Sequence, residues 1–185
     1  MQATDAELIA RITAGDSSAV AELYDRFAPM LFPMVLRVVR EKAEAEDVLH
    51  DAFVAVSERA TLYVPARGSV VAWLVTLVRN LAIDRTRRRA RRSALAHRDA
   101  LEAPISAVES PEEALAEARA SGVVRRALAS LPDVQRQTLE IAFYEGLSYP
   151  EIADREGVPL GTVKSRAARA LQALREALAK EGMDL

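Results

Sequence analysis

The sequence contains no cysteine. Disulfides, zinc–thiolate sites, iron–sulfur clusters and catalytic thiols are therefore excluded. Only seven glycines and eight prolines occur in 185 residues, and they fall at punctuation points rather than in tracts. Strand-like alternation is missing, and no apolar run approaches the ~20 residues that a membrane span needs. Aromatic residues are few, with one tryptophan, Trp73. Positive charge is not in bulk excess: 25 Lys and Arg stand against 27 Asp and Glu, a formal net charge of -2. That balance excludes a uniformly basic coat but not a local basic patch. Met1 to Glu7 lack the charged-then-apolar order of a signal peptide. A soluble, cytoplasmic protein is expected.

What is present is helical. Ala, Leu, Glu and Arg dominate, and half of the residues are hydrophobic. The expected fold class is all-α. Gly15-Asp16 closes a first short helix, and Pro29 and Pro33 are expected to bend or break the chain around Phe27–Phe32. Pro65 to Ser69 reads as a loop, and so does Leu101 to Pro111. Ser110, Pro111 and Glu113 have the spacing of a capped helix start. The expected division is two small helical domains, 1–95 and 112–185, joined by a flexible linker at 96–111.

The strongest local pattern runs from Tyr149 to Ala168. A helix-turn-helix unit needs a small residue inside the first helix, Gly at the turn, and an apolar residue of the second helix facing the first. Ala153, Gly157 and Val163 stand at those offsets, and Ser148 is placed to cap the first helix. Val163, Ala167, Leu171, Leu174 and Leu178 are expected on one face of the second helix. Thr162, Ser165, Arg166 and Arg169 fall opposite, with Lys164 at the flank. From Gly161 to Arg175 there are four basic residues and no acid. A helix so placed reads the major groove, with Arg reaching base edges and Ser, Thr or Lys reaching phosphates or bases. Upstream, Leu131-Pro132 starts a supporting helix with Val134, Thr138, Leu139, Ala142 and Phe143 inward.

Two segments of the N-terminal half carry chemistry. Over Glu44–Arg59, Val48, Leu49, Ala52, Phe53 and Val56 form a buried stripe. The opposite face carries Glu44, Asp47, His50, Asp51 and Glu58 around an apolar Val54. Such a face suits docking of a basic partner, and it equally suits plain solvation. Asp47 and His50 also have the spacing of one half of a carboxylate–histidine metal site, but the remaining ligands are missing and no metal is expected. Over Val70–Arg92, Val71, Leu74, Val75, Val78, Leu81 and Ala82 form the expected core side. Trp73, Leu77, Asn80, Asp84, Arg87, Arg88 and Arg91 form the other stripe. Arg85 to Arg98 holds seven arginines and no acid. Arginines beside aromatic and amide groups suit phosphate contact and capture of an unstacked base. Trp73 taken alone reads as packing on a neighbouring helix.

Together these residues resemble the extracytoplasmic-function (group IV) sigma factors of bacterial RNA polymerase, within the sigma-70 family. Gly15-Asp16-Ser17-Ser18-Ala19 with Glu22-Leu23-Tyr24 looks like the opening of that family's domain two. Ala45-Glu46-Asp47-Val48 with Asp51-Ala52-Phe53 looks like its clamp-binding helix. Arg67-Gly68-Ser69, Trp73-Leu74, Arg79-Asn80 and Asp84-Arg85 look like its −10 segment. Leu131-Pro132, Gly146-Leu147-Ser148-Tyr149, Glu151-Ile152-Ala153 and Gly161-Thr162-Val163-Lys164-Ser165-Arg166 look like its domain four. His50 stands where the family usually has Gln, Ser57 where it usually has a bulky aromatic, and Val78 where it usually has Ala.

The resemblance implies a promoter-specificity factor, not an enzyme, with no cofactor. Glu44, Asp47, His50, Asp51, Val54 and Glu58 would dock on the clamp of core polymerase. The loop Ala60–Ser69, with Tyr63 and Arg67, would capture a flipped −10 base, and Trp73, Asn80, Asp84, Arg87, Arg88 and Arg91 would complete that DNA site. Thr162, Lys164, Ser165, Arg166 and Arg169 would read −35. No room is expected for the autoinhibitory N-terminal region of primary factors, so control by an anti-sigma factor is expected. The rival reading is a free-standing helix-turn-helix regulator with a helical sensor domain.

Overall fold

The structure, a computed structural model, describes residues 3–96 and 126–180. The chain divides into two units, Met1–Glu109 and Ser110–Leu185. The expected loop at Leu101–Pro111, the helix start at Ser110, and nearly all of the expected linker lie outside the described residues.

In the first unit, Thr4 opens α1 (Asp5–Thr13) with a capping box. Its hydroxyl accepts from the Glu7 amide, and the Glu7 carboxylate accepts from the Thr4 amide at 2.7 Å. Gly15 takes φ 89°, and Asp16 caps α2 (Ser17–Val39) by accepting from the Ser18 amide at 2.9 Å. Pro29 and Pro33 lie inside α2, and the helix runs through both, so of the expected bend or break there is no break. Each proline removes one backbone donor, at a cost of ~3 kcal/mol. Against this, α2 buries Leu23, Phe27, Leu31, Val35, Val38 and Val39, each worth ~1.5–3 kcal/mol. The buried stripe outweighs the prolines.

Arg40 ends α2 at φ 66°. Next, α3 (Lys42–Arg59) buries the expected Val48, Leu49, Ala52, Phe53 and Val56, together with Ala45 and Ala55. Two 3₁₀ turns, Ala60–Leu62 and Pro65–Arg67, lead into α4 (Val70–Ala96). Val70, Leu74, Val78, Ala82 and Ile83 of α4 are buried; Val71, Val75 and Leu81 of the expected core side are half-buried. Helix α2 packs on α3 and α4, α3 on α4, and α1 on α2.

In the second unit, α5 (residues 126–129) precedes a buried Leu131. Pro132 leads into α6 (Asp133–Glu140), which continues as one π-helical turn over Ile141–Glu145. Thr138 is fully buried and its hydroxyl donates to the Val134 carbonyl at 2.7 Å. The expected inner face needs correction: Val134 is 49% exposed, and Ile141 is buried in its place. The π turn adds a residue to its turn and re-phases the face, so Ala142 and Phe143 come out half-buried. Ser148 and Glu151 form a capping box on α7 (Tyr149–Glu156), Gly157 turns the chain at φ 65°, and α8 (Leu160–Lys180) follows. Ile141, Ile152, Ala153 and Val163 form the core. The buried stripe of α8 continues through Ala167 and Ala170, whereas Leu171 is 40% exposed. At ~100° per residue, Ala170 returns to the azimuth of Val163 and Leu171 overshoots it. The side chain of Leu178 lies outside the described residues.

Candidate polymerase and DNA interfaces

The six residues expected on the outer face of α3 are not equivalent. Asp47, His50, Asp51, Val54 and Glu58 are exposed. Glu44 is only 17% exposed and accepts from Arg89 of α4, Nη1 to Oε2 3.1 Å. The same Arg89 nitrogen donates to the Val39 carbonyl at 3.3 Å, so one guanidinium joins the end of α2, the start of α3 and α4. Asp47 accepts from Arg85 at 2.8 Å, although its own side chain stays 63% exposed. The Arg85 Nε is buried and forms no hydrogen bond among the described residues. Sequence spacing could not reveal these ties, because their partners lie about forty residues apart and meet only when α3 packs on α4.

The arginine run is thereby divided. Arg85 and Arg89 are held against acids of α3, while Arg87, Arg88 and Arg91 are exposed. Arg85, Arg88, Arg91 and Arg92 line an open cavity of about 400 Å³. Arg85 is engaged with Asp47, so Arg88, Arg91 and Arg92 give this space its positive charge, a setting that suits phosphate. Upstream on α4, Arg79 donates to the exposed Asn80 side chain at 3.2 Å. Burial, and then the charge of Arg87, lower the Arg79 pKa from its ordinary value. Asp84 is exposed.

The loop between α3 and α4 is held from within. The Tyr63 ring lies 5.7 Å from Trp73, centroid to centroid, at 54°, and its hydroxyl donates to the Gly68 carbonyl at 3.1 Å. Trp73 therefore packs on Tyr63 of the loop. Gly68, at φ 139°, adopts a backbone that other residues rarely take. Arg67 is exposed, as are Leu62 at 67% and Val64 at 42%.

On α8, Lys164 and Arg169 are exposed, and Thr162, Ser165 and Arg166 are half-buried. The Ser165 hydroxyl donates to the Thr162 carbonyl at 2.9 Å. Arg166 donates to Glu156 of α7 at 3.1 Å. Arg155 of α7 is bonded to Glu145, and that hydrogen bond raises the Arg155 pKa. Among the described residues, no three His, Cys, Asp or Glu side chains converge as a metal site. No described helix is long and apolar enough to cross a membrane.

A helix-turn-helix in one unit and an arginine-lined surface in the other are features found together in helical DNA-binding proteins. Comparison with known proteins narrows this. Residues 23–92 match the Sigma-70 region 2 family, and residues 121–174 match Sigma-70, region 4. The ECF RNA polymerase sigma factor SigK of Mycolicibacterium vanbaalenii is 33% identical over 175 residues, covering 92% of this chain and 87% of that protein. SigK of Mycobacterium tuberculosis is 31% identical over 92% of this chain and 91% of its own. The chain belongs to the ECF RNA polymerase sigma factors. Among solved structures, Rhodobacter sphaeroides SigE in complex with the anti-sigma ChrR is 30% identical, with a TM-score of 0.47 and coverage of 95% and 99%. CnrH in complex with the cytosolic domain of CnrY is 24% identical, with a TM-score of 0.43 and coverage of 95% and 97%. As a sigma factor, the chain acts with core RNA polymerase in promoter-specific transcription initiation, and the free-standing regulator is not favoured.

Proposed function

We propose a division of labour within this sigma factor. The exposed face of α3 (Asp47, His50, Asp51, Val54 and Glu58) docks on core polymerase, and Glu44 supports that face from beneath. The loop with Tyr63 and Arg67 receives an unstacked −10 base next to Trp73, Asn80 and Asp84, while Arg87, Arg88 and Arg91 hold phosphates. Flipping costs a few kcal/mol of unstacking, which a shaped pocket and phosphate contacts offset. On α8, Lys164 and Arg169, flanked by Thr162 and Ser165, face the −35 element. The observation that carries this reading is the split of the arginine run, which leaves Arg87, Arg88 and Arg91 exposed on α4 while Arg85 and Arg89 engage α3. The polymerase supplies the chemistry, and the factor works in the cytoplasm, where polymerase and chromosome meet. An anti-sigma protein holds it inactive, and the lack of cysteine puts any thiol sensing in that partner.

The test is run-off transcription by bacterial core polymerase on genomic fragments that include the region upstream of this gene. Discrete starts that need the factor are expected, and aligning them gives both promoter elements. No stimulation by a folded, inhibitor-free preparation would overturn the reading.

A further inference from the structure

Arg155 and Glu156 are neighbours at the end of α7, yet they engage different elements. Arg155 bonds Glu145 on the π-helical turn before α7, and Glu156 bonds Arg166 on the helix after it. The second pair is the more covered: the side chains are 24% exposed for Arg166 and 17% for Glu156. Lys164 and Arg169 on the same helix are exposed. The turn between α7 and α8 is open around Gly157, where an added Cβ would meet nothing within 4 Å. A polar tie across the turn is therefore well placed to set the angle between the helices. If Arg166 reached out to a base edge, the half-buried Glu156 would lose its hydrogen-bonded partner and keep only the nearby charge of Arg155, and losing a partly covered charged hydrogen bond is costly.

We propose that Glu156 and Arg166 are a positioning pair. It fixes the angle at which α8 presents Lys164 and Arg169, and Arg166 acts through Glu156 rather than on a base or phosphate. The inference rests on the reading of α8 as the −35 helix, and it gives Arg166 a different role from the expected DNA contact.

The experiment uses holoenzyme assembled with the full chain. Its probes are a duplex carrying the −35 element mapped by run-off transcription and the same duplex scrambled at that element. Glu156→Gln and Arg166→Gln should each lower the preference for the mapped element by about three- to tenfold, and the double variant should be no worse than either single. The slope of log affinity against log salt should stay unchanged in all three. Two results would overturn the proposal. One is a slope shallower by ~0.9 in Arg166→Gln, the loss of one phosphate contact. The other is a preference retained in Glu156→Gln but lost in Arg166→Gln. Glu156→Asp and Arg166→Lys, which keep the charges, serve if the neutral variants lose their helical circular dichroism, and both should then retain the preference; its loss in either overturns the pair. Failure of the underlying reading looks different: Arg169→Ala would leave both preference and slope intact.

Discussion

Asp16 joins a helix cap to an ion network. Its carboxylate accepts from both the amide and the hydroxyl of Ser18 and pairs with Arg11, which also reaches Glu22. The hydrogen bonds from Ser18, and then that from Arg11, hold its pKa at about 2, against an ordinary 3.8. A depressed carboxylate stabilises the fold fully above its ordinary value and loses that effect as pH falls through the folded one. Asp16→Asn keeps a capping oxygen but lacks the charge. It should lower the urea midpoint near pH 6, with the gap to the parent chain narrowed by pH 2. An equal gap at both pH values would place the effect in the cap alone. On α3, single residues separate docking from folding. Asp51→Arg should weaken binding to core polymerase and leave Tm unchanged. Asp47→Arg should weaken core binding and also lower Tm, since it sets a second cation against Arg85, at a stability cost of ~1 kcal/mol for a largely exposed pair. Core affinity retained in both variants would reject this face.

Among the elements, α2 departs most from local rules. Pro33 is exposed and contributes no core contact to set against its missing donor. Pro33→Ala should raise the stability of the first unit by ~1–3 kcal/mol, seen as a higher thermal midpoint; an unchanged midpoint would mean that the helix has relaxed around the ring. Local rules misjudged α2 because the burial that overrides its prolines comes from α3 and α4, which no window around Phe27–Phe32 contains. The helix-turn-helix was legible for the opposite reason. Ser148, Glu151 and Gly157 are themselves the signals, and each acts within a few residues. The stripe of α3 was also legible, since its period is local. The pairing of Glu44 with Arg89, of Asp47 with Arg85 and of Glu156 with Arg166 was not, because charge type and spacing do not say which acid a given arginine meets. For α8 the error was one of phase: small Ala170 holds the buried place that a larger Leu171 seemed to claim.

For the whole molecule, the two cores have separate membership. The first is built by α1 to α4, and the second by residues around Ile141, Ile152, Ala153 and Val163. Chains 1–95 and 112–185, expressed separately, should each give helical circular dichroism and a cooperative melt. A melt found only when both are present would mean that neither stands alone. The order in which the first core is completed has a consequence during synthesis. Helix α4 supplies Leu74, Val78 and Ala82, and its Arg89 closes onto Val39 and Glu44 about fifty residues earlier. At ~5–20 residues per second, the ribosome needs some seconds to go from the end of α3 to Arg89. Until α4 has emerged, the α1–α3 segment lacks the cover that Leu74, Val78 and Ala82 give it, so the first core closes only when its last helix arrives.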